Sequence, residues 1–168
     1  MAEWPVSVEI LTAIDSGEWT TGRKRNWLLS QAVGDYVVFV DDDDEIPAYY
    51  VEELLKAHGS GADCFGINGI ITTNGADEKQ WFISKDYEYK AEQRDGREVY
   101  LRYPNHITPI KRKIALLAEF PDVSHGEDYE WATKIRKTGK IKTECTIERP
   151  MYHYKFVTHK PLLHVQPE

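Results

Sequence analysis

The chain has 168 residues, of which 41% are hydrophobic and 29% charged, with a net charge of −7. That composition suits one globular domain over residues 1–168 and excludes a disordered chain. The acidic balance argues against a nucleic-acid partner, which needs phosphate-neutralising basic surface.

In chain order, residues 6–14 read as a strand rich in β-branched side chains, closed by the turn signal Asp15-Ser16-Gly17. Residues 23–33 read as a helix with Leu28, Leu29 and Ala32 on one face, stopped by Gly34. Residues 36–40, Tyr-Val-Val-Phe-Val, form a short continuous apolar run. Such a run is expected of a central strand buried on both faces. A helix follows over 48–58, with Val51, Leu54, Leu55 and His58 on its stripe, and then a strand over 64–72. Strand and helix alternating in this order predict an α/β sheet. Residues 74–102 are aromatic and charged and read as irregular strands and loops. A short helix is expected over 110–118 and a clearer one over 127–137, closed by Gly139. Residues 140–147 and 151–157 read as two late strands.

Cys64 and Cys145 are far apart, show no metal-ligand spacing and suit a reducing compartment as free thiols. No apolar run approaches the ~20 residues of a membrane span. The first residues, Met1-Ala2-Glu3-Trp4-Pro5, lack the features of a signal peptide. The expected location is the cytoplasm.

The chemistry concentrates in Asp41-Asp42-Asp43-Asp44, directly after the apolar strand. Ligands of open α/β sheets bind at the carboxyl ends of strands. Adjacent carboxylates repel, a divalent cation relieves the repulsion, and hard oxygen ligands suit Mg²⁺ or Mn²⁺. The plainer alternative is a solvated turn whose charge favours the start of the next helix. A second acidic pair, Glu127-Asp128, opens the later helix after Gly126. Asp128 shares a helical face with Trp131, Ala132 and Ile135, so its carboxylate is expected on the core side.

The stretch Gly22-Arg-Lys-Arg-Asn26, Leu28-Leu29, Ala32-Val-Gly-Asp-Tyr-Val-Val-Phe-Val-Asp-Asp-Asp-Asp44 and Pro47 resembles the family 2 glycosyltransferases of the GT-A fold, whose pattern is an Arg-Asn on a helix and a DXD motif ending a strand. Gly126-Glu-Asp-Tyr-Glu130 resembles the family's Glu-Asp motif. The resemblance implies a GT-A-like, mixed, mainly parallel sheet flanked by helices. It implies transfer of a sugar, by inversion, from a nucleotide-diphosphate donor (a UDP-sugar first) to a saccharide or other hydroxyl acceptor, with Mn²⁺ or Mg²⁺. Position by position, Asp43 and Asp41 match the metal-binding acids, with Asp41 nearer the ribose. Asp15, Arg25, Asn26 and Asp42 match donor-facing positions, and Asp128 matches the catalytic base. Asn105, His106, Glu127 and Trp131 fall where acceptor contacts occur. A late histidine (His125, His153 or His159) is a candidate third metal ligand. Arg23, Lys24 or Arg25 would stabilise the charge that develops on the leaving diphosphate.

One departure from the family stands out. Members open with a strand and helix before the strand matched by residues 6–14, and only five residues precede it here. Lacking that strand would leave an exposed sheet edge open to pairing with a second copy. Two other functions remain open on the residues alone: a non-catalytic or truncated domain binding sugar or protein, and a metal-dependent nucleotidyltransferase.

Overall fold

The computed structural model describes residues 7–158. Its elements run α1 (Thr21–Gln31), β1 (Tyr36–Val37), α2 (Tyr50–His58), β2 (Cys64–Thr73), β3 (Ala76–Ile83), β4 (Lys90–Arg94), β5 (Arg97–Arg102), β6 (Ile110–Lys111), α3 (Arg112–Ala115), α4 (Glu127–Thr138) and β7 (Glu144–Phe156). The strands form one mixed, seven-stranded sheet, the α/β class expected. β2 is its hub. It pairs antiparallel with β6 at Cys64 and with β3 over Ile67–Thr73, and parallel with β7 along its whole length. β3 runs parallel to β5, while β1–β6 and β4–β5 are antiparallel. The parallel share thus rests mainly on the long β2–β7 ladder, because the middle of the chain folds as local hairpin-like pairs.

Successive strand residues face opposite sides of a sheet, and β2 shows the consequence. Cys64 joins a core with Leu29, Ile114, Phe120, Trp131 and Ile135 from the side of α1, α3 and α4. Phe65 and Ile67 join the other core, with Tyr50, Trp81, Met151 and Tyr152, on the side of α2. Helices therefore cover both faces, and the acidic run leaves the sheet between them.

Several expected elements differ. Residues 7–14 form no strand and are largely exposed, with Ile10 85% and Ile14 90% accessible; residue 6 lies outside the described residues. Nothing among the described residues hydrogen-bonds that segment into the sheet. The 36–40 run is a paired strand only over Tyr36–Val37 and is half-buried, not central. Its partner is β6 on one side. A cavity of about 540 Å³, lined by Val8, Leu11, Leu28, Val38, Val40 and Leu54 among others, adjoins it. An apolar run alone cannot tell one-sided from two-sided burial. The buried stripe of α2 is Tyr50, Leu54 and Ala57, while Val51 is exposed. The 110–118 segment begins as β6 and gives only the single turn α3. Residues 74–102 hold three regular strands, β3, β4 and β5, with the expected loops between them.

The two late strands are one strand, β7. Pro150 has no N–H to donate, and the register shifts around Asn68. The Asn68 amide donates to the carbonyls of Ile147 and Glu148 at 3.1 and 3.0 Å, so the irregularity is bonded across. Next to it, Gly69 lets β7 and an aromatic ring close in. A Cβ there would lie 2.0 Å from the Tyr152 carbonyl oxygen and 2.5 Å from the Trp81 ring. Gly69→Ala should therefore cost about 1–3 kcal/mol, as overpacking does, read as a lowered urea midpoint with unchanged slope.

Asp63, just before β2, ties three segments. Its carboxylate accepts from the amides of Lys142 and Thr143 at 2.9 and 3.1 Å and from the Lys111 ammonium at 3.0 Å. Burial pushes its pKa up, but these donors outweigh it and hold the carboxyl at about 2 against an ordinary 3.8. Its folded pKa lies below its unfolded one, so its contribution is full above the unfolded value and fades as pH falls towards the folded one. Asp63→Ala should destabilise the protein by about 1–2 kcal/mol near neutrality. The deficit should shrink between pH 4 and pH 2 in denaturation curves measured at each pH.

Candidate active site

The site is built from four separate pieces of chain, and the start of α1 sets the first. Thr20 caps the helix by accepting from the Arg23 amide at 3.1 Å, and its hydroxyl donates to Asp122 at 2.5 Å. Gly22 lets the helix abut the 121–123 loop. Its N–H donates to the Val123 carbonyl at 3.0 Å, and a Cβ there would stand 1.9 Å from the Pro121 carbonyl oxygen. One turn on, the Arg25 side chain is only 7% exposed. Its guanidinium donates through one nitrogen to Asp41 Oδ1 at 2.7 Å and through the other to Glu127, whose side chain is 6% exposed. The rings of Phe39 and Phe120 lie 5.9 and 5.8 Å from its centre, so the cation is boxed in by apolar walls.

The second piece is the acidic run. The strand leading into it is guided by the Phe39 N–H, which donates to the His106 carbonyl at 3.0 Å. The Asp41 amide donates to the Tyr152 hydroxyl at 3.1 Å, and that hydroxyl donates to Asp44 Oδ2 at 2.8 Å. The Lys155 amide donates to Asp44 Oδ1 at 2.8 Å, and Glu45 and His153 exchange backbone hydrogen bonds. β7 thus cradles the run and fixes its turn. Burial raises the Asp44 pKa despite these bonds. Burial alone would also raise Asp41, but His106 and Arg25 together hold its carboxyl well below the usual range. Asp42 and Asp43 are exposed.

His106 joins the third and fourth pieces. Its Nε2 lies 3.1 Å from Asp41 Oδ2, and its Nδ1 lies 3.5 Å from Asp128 Oδ2. Asp128 sits in the first turn of α4, its side chain 32% exposed. Asp41 and Asp128 are therefore one imidazole apart, and Asp43 follows two residues after Asp41. Tyr154, two residues beyond Tyr152 and so on the same strand face, has its pKa raised first by burial and then by the charges of Asp44, Asp43, Asp128 and Asp41.

The other expected site residues are placed differently. Asp15 binds Lys24 at 2.5 Å and caps the loop by accepting from the Trp19 amide at 2.8 Å. Both ends of the Asn26 amide are taken by the backbone of Phe120, at 2.8 and 2.9 Å. Asn26 therefore clamps a loop instead of facing a ligand. Glu127 is buried against Arg25 and offers no acceptor contact. Trp131 is 1% exposed, stacks on Phe120 and donates to the Ala118 carbonyl; it belongs to the core, not to an acceptor wall. Asn105 is buried in a turn with Thr108. Of the basic trio, Arg23 lies over the Trp19 ring, Lys24 pairs with Asp15 and Arg25 is enclosed, so none points a free charge at a diphosphate. Among the late histidines, His153 contacts Thr72 and Glu45, His125 is exposed, and His159 lies outside the described residues. The sequence reading passed over Tyr152 and Tyr154, although their two-residue spacing on an evident strand marks one face.

A protein-family model described as Glycosyl transferase family 2 matches residues 15–116. The chain belongs to this family. No curated protein matches it. The family 2 match takes in Asp15, Arg25, the acidic run and His106, and it ends before Glu127 and Asp128. Membership supports glycosyltransferase chemistry with a nucleotide-sugar donor and an acceptor, and members commonly use a divalent metal. Among the described residues no three His, Cys, Asp or Glu side chains gather as a cation site. A cation bridging a diphosphate needs only one or two protein carboxylates, and the exposed Asp43 offers one. Asp41 is less suited, because both its oxygens are engaged by Arg25 and His106. No helix among the described residues is long and apolar enough to cross a membrane.

Removing the guanidinium would leave buried Glu127 without its ion-pair partner and Asp41 with His106 alone, in a half-dry site. Arg25→Ala should cost about 3–5 kcal/mol, measured by urea unfolding monitored through tryptophan fluorescence. Arg25→Lys should recover little, since one ammonium cannot serve both carboxylates as a planar fork does.

Proposed function

We propose that this family 2 domain is an inverting, metal-dependent glycosyltransferase that moves a sugar from a nucleoside-diphosphate donor, a UDP-sugar first, to a hydroxyl of a saccharide or similar acceptor. The observation that carries the reading is the meeting of Asp41 and Asp128 across one buried imidazole, with Asp43 open to solvent beside them. In an inverting displacement a base faces the leaving group from across the sugar. Asp128 takes the proton of the acceptor hydroxyl as its oxygen bonds to the anomeric carbon. The bond from that carbon to the diphosphate breaks, and the diphosphate leaves with the electron pair. Asp43 would hold Mn²⁺ or Mg²⁺, which when bound supplies positive charge to the leaving diphosphate. With no free basic side chain from α1 aimed at that position, the cation's contribution is correspondingly large. Asp41 is held ionised and rigid by Arg25 and His106 and marks the donor side. The open face of the acidic turn is where the nucleoside and the exposed Asp42 would meet.

The test is a thermal-shift screen of UDP-, GDP- and dTDP-sugars with Mn²⁺, followed by turnover with the donor that stabilises. Asp43→Asn should abolish the metal-dependent shift. Asp128→Asn should keep the shift and lower kcat on the order of 10²–10⁴-fold, the usual worth of a positioned base. Stabilisation by nucleoside triphosphates alone, with no transfer from any sugar donor, would replace this reading with nucleotidyl transfer.

A further inference from the structure

The buried ring of His106 has a carboxylate facing each nitrogen, and the two carboxylates differ in how firmly they are held. Asp41 is fixed without it, by Arg25 at Oδ1 and by the bond from its own amide to Tyr152. Asp128 is not. Its side chain stands in the first turn of α4, a third exposed, and among the described residues the His106 ring is the only side chain within ion-pair distance of it. The Nδ1 atom is fully buried, makes no hydrogen bond among the described residues, and has Asp128 Oδ2 3.5 Å away. The ring itself has little freedom. Tyr103 to Ile110 is buried throughout, the His106 carbonyl accepts from Phe39, and the Asn105–Thr108 turn closes the loop.

We infer that His106 is a positioning residue for the reaction: it holds Oδ2 of Asp128 so that Oδ1 is presented to the acceptor hydroxyl on the side facing Asp41. This rests on the reading of Asp128 as the base. An unrestrained aspartate in a helical first turn samples several rotamers, and only some keep it within hydrogen-bond reach of a bound hydroxyl. With an N–H on each nitrogen, so that it donates to both carboxylates, a ring already anchored to the donor-side acid converts that sampling into one orientation. It also ties base and donor pocket to a common frame, so the distance between them cannot drift. The short gap beyond normal hydrogen-bond length leaves room for the contact to tighten when an acceptor is bound.

The two ring nitrogens can be replaced one at a time. An asparagine amide stands near the place of Nδ1, and a glutamine amide near that of Nε2. His106→Asn therefore keeps a polar contact for Asp128 and gives up Asp41, while His106→Gln does the reverse. With full-length protein and the stabilising donor, His106→Gln should lower kcat on the order of 10–100-fold with donor KM little changed, the scale of a misplaced reacting group. His106→Asn should retain on the order of tenfold more kcat than His106→Gln and raise donor KM instead. Equal losses of kcat in the two variants, or none in either, would overturn the inference. A second readout needs no activity. In protein labelled with ¹⁵N-histidine, the His106 lines are those missing from the His106→Gln spectrum. Asp128→Asn should move the Nδ1 line and leave Nε2 in place; an unmoved Nδ1 line overturns the inference even if the enzyme turns over. A moved Nδ1 line in a protein that transfers sugar from no donor overturns instead the base assignment, and with it the catalytic role given to His106, while the contact stands.

Discussion

Everything at the site depends on one buried cation. Arg25 comes from α1, Asp41 from the stretch after β1 and Glu127 from the start of α4, and among the described residues the guanidinium is the only group that touches both acids. Three elements from distant parts of the chain are thereby brought to one point. Burying a charge is costly unless its partners satisfy it, and a planar fork with donors on two sides suits two carboxylates better than any other side chain. The walls of Phe39 and Phe120 raise the stakes by excluding water. The Arg25 network is thus both a fastening and a source of the low pKa that keeps Asp41 ionised.

The four adjacent aspartates are consequently four different groups. Asp41 faces inward and is neutralised by Arg25 and His106. Asp44 faces β7 and is bound by a hydroxyl and a backbone amide. Asp42 and Asp43 face out. The repulsion expected of such a run is relieved within the protein for Asp41, while Asp44 has only neutral donors and keeps a pKa raised by burial and by its acidic neighbours, which leaves the exposed middle pair as the part able to attract a cation. The turn that makes this division is fixed by β7, through Tyr152, Lys155 and the Glu45–His153 bridge.

What was legible in the sequence follows from how local each signal is. α4 was expected over 127–137 and spans Glu127–Thr138, because Gly126 and Gly139 bound it and an apolar stripe runs along it. β2 was expected over 64–72 and spans Cys64–Thr73, for the same kind of reason. Residues 7–14 form no strand, because an extended β-branched segment becomes one only when a neighbour accepts its hydrogen bonds. Residues 140–147 and 151–157 are expected as two strands but continue as one across Pro150, because the Asn68 side chain, far away in the chain, bonds the carbonyls of Ile147 and Glu148. The acceptor residues fared worst. Trp131 and Glu127 are polar or aromatic in composition but core in position, since side-chain direction around a helix start depends on what packs there.

By itself the sequence determined the chemistry available: an acidic run after an apolar strand, a second acidic pair opening a helix, and the pattern that identifies the family. Those are properties of neighbouring residues. Only the tertiary structure decided which carboxylates are engaged and which are free. It took Arg25 out of the role of diphosphate clamp and gave it to the fold. It also placed His106 between Asp41 and Asp128. Ion pairing and burial depend on distances between segments far apart in the chain, and no local pattern encodes those distances.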